Sequence, residues 1–312
     1  MNNLIQNRSE LLFLYDVAYA NPNGDPLDAN RPRIDEETGH CLVTDVRLKR
    51  TIRDYLHQVK GKEIFIREIE LPDGSIQDAK LRAEDFLKED KKKFNTLVDY
   101  KKAIHNSVVN DCIDVRLFGV TMPLEKSAKE KSSITLTGPV QFGMGKTLHP
   151  VRENFIQGTG AFASKKEAQQ KTFREEYNIT YGLIAFHGII NENAAKHSHM
   201  TEQDAEELVN GIWLGTKDLI TRSKKGHMPR LLLKIDYKDG FFIGDLPKLI
   251  EMEPLNGKSP ESVEDVSDFI LNVKTLNKYL EKYAGKIMKT TLWKDDRLAL
   301  SEPVKGADIK SF

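Results

Sequence analysis

The chain has 312 residues, of which 39% are hydrophobic and 30% are charged, a composition typical of soluble globular proteins. Its 47 Lys and Arg residues balance 47 Asp and Glu residues, so the net charge does not indicate a nucleic-acid binder. Two cysteines are too few for a disulfide framework or a cysteine-rich metal site. There is no apolar run of about 18 residues, and the early run at 11–20 follows Glu10 and is broken by Asp16. We therefore expect a cytoplasmic protein without a membrane partner.

The charges are unevenly distributed along the neutral chain. Residues 44–60 carry five cations against two acids, and residues 217–238 carry seven cations against two acids. Residues 131–152 carry three cations and no acid, whereas residues 245–270 carry seven acids against two lysines. This pattern predicts a polarised surface that binds a polyanion on one side and sibling subunits on another.

The first two elements lead into the most informative part of the chain. Residues 11–20 (LLFLYDVAYA) are apolar and aromatic and end in the turn-forming loop 21–26 (NPNGDP), which predicts a buried strand and a turn. Thr44 is a suitable N-cap for a helix with Asp45 in its first turn. Five apolar side chains then recur at helical spacing, and the cations lie elsewhere on the helix. The apolar positions are Leu48, Ile52, Tyr55, Leu56 and Val59.

The rest of the chain predicts a second half of the same fold with two polar insertions. Residues 62–133 and 151–178 are polar, and residues 134–142, 179–190 and 230–237 have strand patterns. Thr201 and Asp204 indicate a capping box for another amphipathic helix. Without the insertions the order is strand, helix, strand, strand, helix, strand. This order predicts an α+β, ferredoxin-like (split βαβ, RRM-like) fold, a frequent platform for RNA binding.

Five stretches of the chain match one family in that family's order. They are NPNGDP at 21–26, VTDVRLKRTIRDYL at 43–56, DVRLFGV at 114–120, ITLTGPVQFGMGKTLHPV at 134–151 and YGLIAFHG at 181–188. Together they make the chain resemble the RAMP-superfamily backbone subunit of type I CRISPR effector complexes (Cascade), in the version typical of subtype I-B.

The resemblance implies a hand-shaped subunit without catalytic activity. Its ferredoxin-like palm would comprise residues 1–61, 134–150 and 179–245, its fingers 62–133, and its thumb hairpin 151–178. A helical extension, 246–312, would pack on the palm. Copies would stack head to tail along a guide crRNA as a filament, contact other Cascade subunits and support pairing of the guide with target DNA. A separate, recruited helicase-nuclease would destroy the target.

The predicted RNA-binding residues come from two kinds of argument. Thr44, Lys49 and Arg53 match the family's pattern on the first palm helix, whereas Arg47 and Arg50 are added from charge and periodicity. Glycines after the second strand would let backbone N–H groups approach phosphate. The full set is Asn21, Asn23, Thr44, Arg47, Lys49, Arg50, Arg53, Gln141, Gly143, Met144, Lys146, Phe155 and Phe162. Met144 could contact a base or join the core, and the two phenylalanines could stack on bases or form a local core.

Two enzymatic alternatives remain open from the residues alone. Asp25 and Asp28 lie in the predicted RNA loop and could serve a metal-dependent endoribonuclease, although Asp often bonds to its own turn. Residues 143–146 could serve a phosphotransferase, but the spacing of a Walker loop is missing. Asp114 is expected to make a structural hydrogen bond or salt bridge. We expect no cofactor and no metal.

Overall fold

The computed structural model describes residues 3–127, 130–159 and 173–312 of the chain. In these ranges the α-helices are α1 (Asp45–Gln58), α2 (Ala79–Glu84), α3 (Leu97–Asp111), α4 (Ile113–Phe118), α5 (Glu192–Ser198), α6 (Glu202–Lys217) and α7 (Lys274–Lys282). The strands are β1 (Ser9–Ala20), β2 (Gly24–Asp25), β3 (Arg31–Pro32), β4 (Leu42–Val43), β5 (Gly119–Ser127), β6 (Glu130–Thr137), β7 (Val140–Phe142), β8 (Gly145–Thr147), β9 (Glu153–Thr159), β10 (Phe173–Ile190), β11 (His227–Tyr237), β12 (Glu251–Pro254), β13 (Phe269–Asn272), β14 (Ile287–Lys294) and β15 (Ala307–Lys310). None of the helices described is long and apolar enough to cross a membrane.

One large sheet with β1 at its centre organises the fold. Its strands lie in the order β15-β14-β11-β1-β10-β8-β4, and β7 and β9 also pair with β10. Side chains of a strand alternate between faces, and both faces of β1 are buried. Leu11 and Phe13 belong to one hydrophobic cluster, and Leu12 and Leu14 belong to another. The predicted strand at 11–20 is confirmed, and it is largely apolar because both of its faces are buried except at Ala18 and Tyr19 near its end.

Helices α1 and α6 cover one face of this sheet, and both begin where the sequence predicts. The Thr44 hydroxyl accepts the backbone N–H of Arg47, and Thr201 forms the capping box with Asp204. Four of the five predicted apolar positions of α1 are buried. Val59 is the exception: it follows the helix and is exposed.

The insertion between α1 and β7 has a hydrophobic core of its own. Tyr100, Ile104 and Val108 of α3 pack with residues of α4, β5 and β6. The predicted strand at 134–142 is divided: residues up to Thr137 pair with β5, and β7 pairs with β10. Gly138 makes the division possible, because a Cβ there would lie 2.1 Å from the backbone of Phe118. The insertion therefore extends beyond the expected boundary at residue 133.

The C-terminal part corrects the expectation of a helical extension. Its only α-helix within the described residues is α7, whereas β12 and β13 form a two-stranded sheet. β14 pairs with β11 and so extends the large sheet, and β15 pairs parallel with β14. The reason is tertiary: β11 offers an open edge, and residues 290–293 become buried when they pair with it. The region packs on the large sheet and covers its second face through α7 and β13.

Residues 241–243, which follow the turn after β11, do not pair as a strand. The backbone N–H groups of Ile243 and Gly244 donate to the buried carboxylate of Glu10, at 2.8 and 2.9 Å, and not to a neighbouring strand. The Tyr237 hydroxyl donates to the same carboxylate. Glu10 therefore satisfies backbone groups that a strand would have paired.

We expect a buried histidine to make the fold sensitive to acid. His149 donates from Nδ1 to the carbonyl of Pro150 and accepts the N–H of Leu183 at Nε2, so its ring is neutral. Burial lowers the pKa of His149 to about 4. Between the unfolded pKa of about 6.5 and this value the unfolded chain binds more protons, so stability falls as pH falls. Relative to His149→Gln, the wild type should lose about 2 kcal/mol of unfolding free energy between pH 8 and pH 5.

Urea unfolding of both chains at several pH values measures this difference. Other titrating groups, including the buried His227, are common to both chains and cancel in the comparison. A constant difference in unfolding free energy across this pH range would contradict the neutral assignment of His149.

Candidate nucleic-acid interface

The turn-rich loop is tied to the start of α1 by side-chain hydrogen bonds. Asn23 Oδ1 accepts both the backbone N–H and the hydroxyl of Thr44, each at 2.9 Å. Asn21 is buried, and its Nδ2 donates to the carbonyls of Asn30 and Tyr177 at 2.7 and 3.3 Å. Two of the predicted site residues, Asn21 and Asn23, thus hold the loop in place beside the N-terminus of the helix.

Two of the predicted cations on α1 form ion pairs within the helix. Lys49 contacts Asp45 at 3.0 Å, and Arg50 contacts Asp54 at 2.7 Å. Lys49 Nζ also reaches Gln141 Oε1 at 3.4 Å, which connects α1 to β7. The helix therefore adjoins the strand that leads into the glycine-containing segment. The pairs with Asp45 and Asp54 partly neutralise the charge of the helix.

Arg53 departs from the predicted exposed position. It is 8% exposed, and its Nε donates to Asp114 Oδ2 at 2.9 Å. Asp114 is fully buried and also accepts the backbone N–H groups of Phe65 and Ile66 at 2.8 and 3.1 Å. The Arg53 guanidinium lies over the Phe118 ring, 5.1 Å from its centroid. The expected structural role of Asp114 is confirmed, and its partner is the arginine that the sequence assigns to RNA.

Arg47 and Lys224 make no ion pair with a carboxylate among the described residues, although the charge of Asp54 acts on Arg47. Arg47 is half-buried, and its Nη2 donates to the Thr51 hydroxyl at 3.0 Å. Lys224, in the loop before β11, donates to the carbonyls of Asn21 and Pro22. Burial, reinforced by the charge of Arg47, lowers the pKa of Lys224 to about 8. Two like charges held together in a half-buried place are stabilised by an anion, and phosphate is the common one in RNA.

The side chains that lie beneath Arg47 and Lys224 carry no negative charge. Tyr15 and His227 stack with ring centroids 5.6 Å apart. Burial raises the pKa of Tyr15 and lowers that of His227 to about 3, so both rings are neutral at pH 7. Burial also raises the pKa of the nearby Cys41 thiol to about 12. These groups therefore add no negative charge that would neutralise Arg47 and Lys224.

Sequence reasoning missed Lys224 as a site residue. The excess of cations in residues 217–238 was the signal, but it does not say which lysine turns toward the loop. The contacts of Lys224 with Asn21 and Pro22 join residues more than 200 positions apart.

The glycine-containing segment forms an exposed bulge between β7 and β8, beside β10. β7 and β8 both pair with β10, and Gly143 and Met144 lie between them. The Gly143 N–H donates to the His187 carbonyl at 2.9 Å, so this group is already used. Gly145 is required by packing, because a Cβ there would lie 2.4 Å from the Phe186 ring. Met144 is 58% exposed and outside the core.

The outer face of this bulge presents polar groups to solvent. Gln141 and Lys146 are both exposed. Gln141 Nε2 donates to the Gly138 carbonyl at 2.9 Å, and its Oε1 accepts from Lys49. Lys146 has no ion-pair partner among the described residues, which leaves its charge free for phosphate.

The region expected as a thumb begins as a two-stranded ribbon. β9 pairs antiparallel with the first residues of β10, from Glu153 opposite Ile179 outward. Phe155 is 48% exposed and packs against Tyr177, with ring centroids 4.8 Å apart. Arg31, next to the turn-rich loop, lies 5.1 Å from the same Tyr177 ring. The ribbon base thus adjoins the loop. Phe162 lies outside the described residues.

Of the two carboxylates considered for catalysis, Asp25 makes structural contacts and Asp28 is exposed. Asp25 pairs with Arg33 at 2.7 Å and accepts the Leu27 N–H at 3.0 Å, as expected for a turn. Asp16 is buried, and the Nε of Arg230 donates to it at 2.6 Å. Over residues 3–127, 130–159 and 173–312 no three His, Cys, Asp or Glu side chains are grouped to hold a metal ion.

Comparison with known proteins gives one consistent family. The family model of the CRISPR-associated protein Cas7 matches residues 7–273. A CRISPR-associated protein Cas7 from Haloferax volcanii is 35% identical over 312 residues, which cover 94% of this chain and 88% of the relative.

Two solved structures share the fold at 12% sequence identity. They are described as a CRISPR RNA-guided surveillance complex, pre-nicking, with a TM-score of 0.56, and a CRISPR RNA-guided surveillance complex, with a TM-score of 0.52. Each similarity covers 98% of this chain, and 96% and 94% of the respective matched chains. Because the family model spans most of the chain and the Haloferax volcanii relative aligns along nearly all of it, the chain belongs to the Cas7 family of CRISPR-associated proteins.

Proposed function

We propose that this protein is a non-catalytic backbone subunit of a type I, I-B-like Cascade that binds guide crRNA through its phosphates. Copies stack head to tail along the guide as a filament in the cytoplasm, beside other Cascade subunits. The filament supports pairing of the guide with target DNA in antiviral defence. A recruited helicase-nuclease then destroys the target.

The observation that carries the proposal is the half-buried pair of Arg47 and Lys224 without a carboxylate. Burial lowers the pKa of both side chains, so an added negative charge would stabilise their charged forms. The pair lies beside the N-terminus of α1, where backbone N–H groups also favour an anion. Contacts to phosphate are independent of base sequence, as a subunit that carries arbitrary guides requires. Lys146, Gln141 and Met144 continue the surface along the bulge after β7.

The proposal includes a hand-shaped subunit, and the order of the strands supports this part of it. The strands β11, β1, β10 and β7 are neighbours in that order, each antiparallel to the next. This is the strand order of a ferredoxin-like palm with β1 and β10 in its centre. The insertion has a separate core, as expected of a finger domain. The ribbon of β9 and β10 has the form expected at the base of a thumb. We propose that the exposed side of Phe155 on that ribbon stacks on a base or on a neighbouring copy.

Binding and cleavage can be tested together with purified protein, Mg²⁺ or Mn²⁺, and two unrelated RNAs of equal length. We expect both RNAs to bind with similar affinity at each salt concentration and to remain intact. The logarithm of affinity should fall linearly with the logarithm of salt, because phosphate binding releases counterions.

The matched control for catalysis is the chain carrying Asp25→Asn and Asp28→Asn. This variant should leave the RNA as intact as the wild type does, because the Asp25 carboxylate is engaged with Arg33 and its own turn. Metal-dependent cutting by the wild type that this variant abolishes would replace the proposal with an endoribonuclease. Strong preference for one RNA would contradict binding through phosphates.

A further inference from the structure

Both tryptophans of the chain lie beneath one phenylalanine at the β14 edge of the sheet. Trp213 of α6 and Trp293 of β14 are 7% and 9% exposed. The Phe312 ring stacks on Trp213, with centroids 5.1 Å apart and planes 14° apart. It also lies 5.7 Å from the Trp293 ring. A single side chain thus covers an aromatic platform that is otherwise formed by the body of the protein.

Few interactions hold the segment that carries Phe312. β15 pairs with β14 in parallel over four residues, from Ala307 opposite Thr290 to Lys310 opposite Trp293. It is the outermost strand of the sheet, and Ile309 is 74% exposed. Short parallel pairing at an edge, with little apolar burial, is weak. The contacts of Phe312 with the two tryptophans are the main apolar attachment.

The chain just before this segment is firmly attached. Asn277 donates from Nδ2 to the Pro303 carbonyl and accepts the Lys305 N–H at Oδ1, both at 2.9 Å. Val304 is buried. Gly306 follows with φ of +67°, a conformation that only glycine adopts without strain. Gly306 is therefore a natural pivot between a fixed body and a detachable arm, residues 307–312.

The arm divides a longer groove. A cavity of about 530 Å³ lies on one side of it and a cavity of about 570 Å³ on the other, and Trp293 and residues 310–312 line both. Side chains of α6 form one wall of each cavity, and β14 contributes to the opposite wall. Without the arm, a continuous groove would run between α6 and the sheet edge, with the two tryptophans exposed in it.

We propose that this groove is a docking site between copies, and that its occupant is the arm, residues 307–312, of a second copy. Residues 307–312 fit the groove of their own chain. The same segment of a second copy has the same register with β14 and the same aromatic stack available to it. Exchange of identical elements keeps every contact and costs little. From Gly306 the arm reaches roughly 20 Å when extended. The inference adds a copy-to-copy contact to the proposed filament, and only its biological role rests on that proposal.

The groove is tested first without RNA, so its outcome does not depend on RNA binding. A chain lacking residues 307–312 should melt cooperatively but emit tryptophan fluorescence at longer wavelength, because both tryptophans of the protein lie in the groove. A synthetic peptide of residues 304–312 should bind saturably and reverse the shift. The same peptide with Phe312→Ala should bind at least about tenfold more weakly, since it lacks the aromatic anchor. The full chain with Phe312→Ala provides the same readout if the deletion does not fold.

Exchange itself is tested by mixing two chains. The acceptor chain lacks residues 307–312 and has an open groove. The donor chain carries Trp213→Ala, which removes part of its own aromatic platform and so releases its arm. The mixture should contain a one-to-one complex by sedimentation, whereas each chain alone, and a donor that also carries Phe312→Ala, should remain monomeric. If the Trp213→Ala chain does not fold, the wild-type chain at higher concentration serves as the donor. Failure of the peptide to bind, or binding of the peptide without association of the chains, would overturn the proposal.

Discussion

Replacing Arg47 and Lys224 together by glutamine should produce the largest loss of RNA affinity of any surface change in this protein. Both side chains are half-buried, the charge of Arg47 acts on Lys224, and neither makes an ion pair with a carboxylate among the described residues. If each contacts one phosphate, the salt slope of binding to single-stranded RNA should fall by about 1.4 units. We expect affinity at low salt to fall by roughly 10- to 100-fold, equally for unrelated RNAs.

The lowered pKa of Lys224 adds a dependence on pH to this prediction. A lysine with a pKa of about 8 loses its charge between pH 7 and pH 9 in the free protein. RNA affinity of the wild type should therefore weaken over this range, because RNA binds the charged form. The chain with Lys224→Gln has no such group and should show a flatter profile. Anisotropy titrations with a labelled RNA at several pH values provide the measurement.

The matched control removes one lysine and one arginine elsewhere on the surface. Lys248 and Arg297 are exposed, and each is already paired with a nearby aspartate. The chain with Lys248→Gln and Arg297→Gln should keep the wild-type salt slope. Equal losses in the two double variants would mean that overall charge, and not the Arg47–Lys224 pair, determines binding.

Local signals in the sequence predict the parts of the fold that depend on near neighbours. Thr44 and Thr201 cap their helices as expected, because each cap needs only residues within one turn. The apolar run at 11–20 predicts the central strand for a similar reason. The strands β14 and β15 were missed because residues 287–294 become a strand only where β11 offers an open edge.

The candidate site was predictable in composition but not in geometry. The structure joins Asn23 to Thr44 and Lys49 to Gln141, and all four are residues that the sequence analysis names. Which cation faces outward depends on partners far along the chain. Arg53 turns inward because Asp114, 61 residues away, lies beneath it, and no helical periodicity reports such a partner. Amphipathic spacing identifies the apolar face of a helix, yet it does not distinguish a solvated cation from a buried one.

Breaking the ion pair of Arg53 and Asp114 should cause the largest loss of stability. Asp114→Ala removes a carboxylate that Arg53 and the N–H groups of Phe65 and Ile66 share, and it leaves a buried guanidinium without its counter-ion. Removal of one partner of a buried pair typically costs about 3–5 kcal/mol. Urea unfolding should therefore show a large drop in the midpoint, and α4 and the insertion should lose their attachment to α1.

Arg53→Met separates the structural role of this arginine from a role in RNA binding. Methionine keeps the length and apolar stem of the side chain, but the variant leaves Asp114 without its charged partner, so we expect it to be destabilised as well. Combining Arg53→Met with Asp114→Asn removes both charges and should recover part of the loss, giving a coupling energy of at least about 1 kcal/mol in the double-mutant cycle. Measured well below its melting temperature, the double variant should bind RNA within about threefold of the wild type, a difference of roughly 0.6 kcal/mol. If Arg53→Met instead keeps wild-type stability and loses RNA affinity, Arg53 contacts the RNA and the ion pair contributes little to the fold.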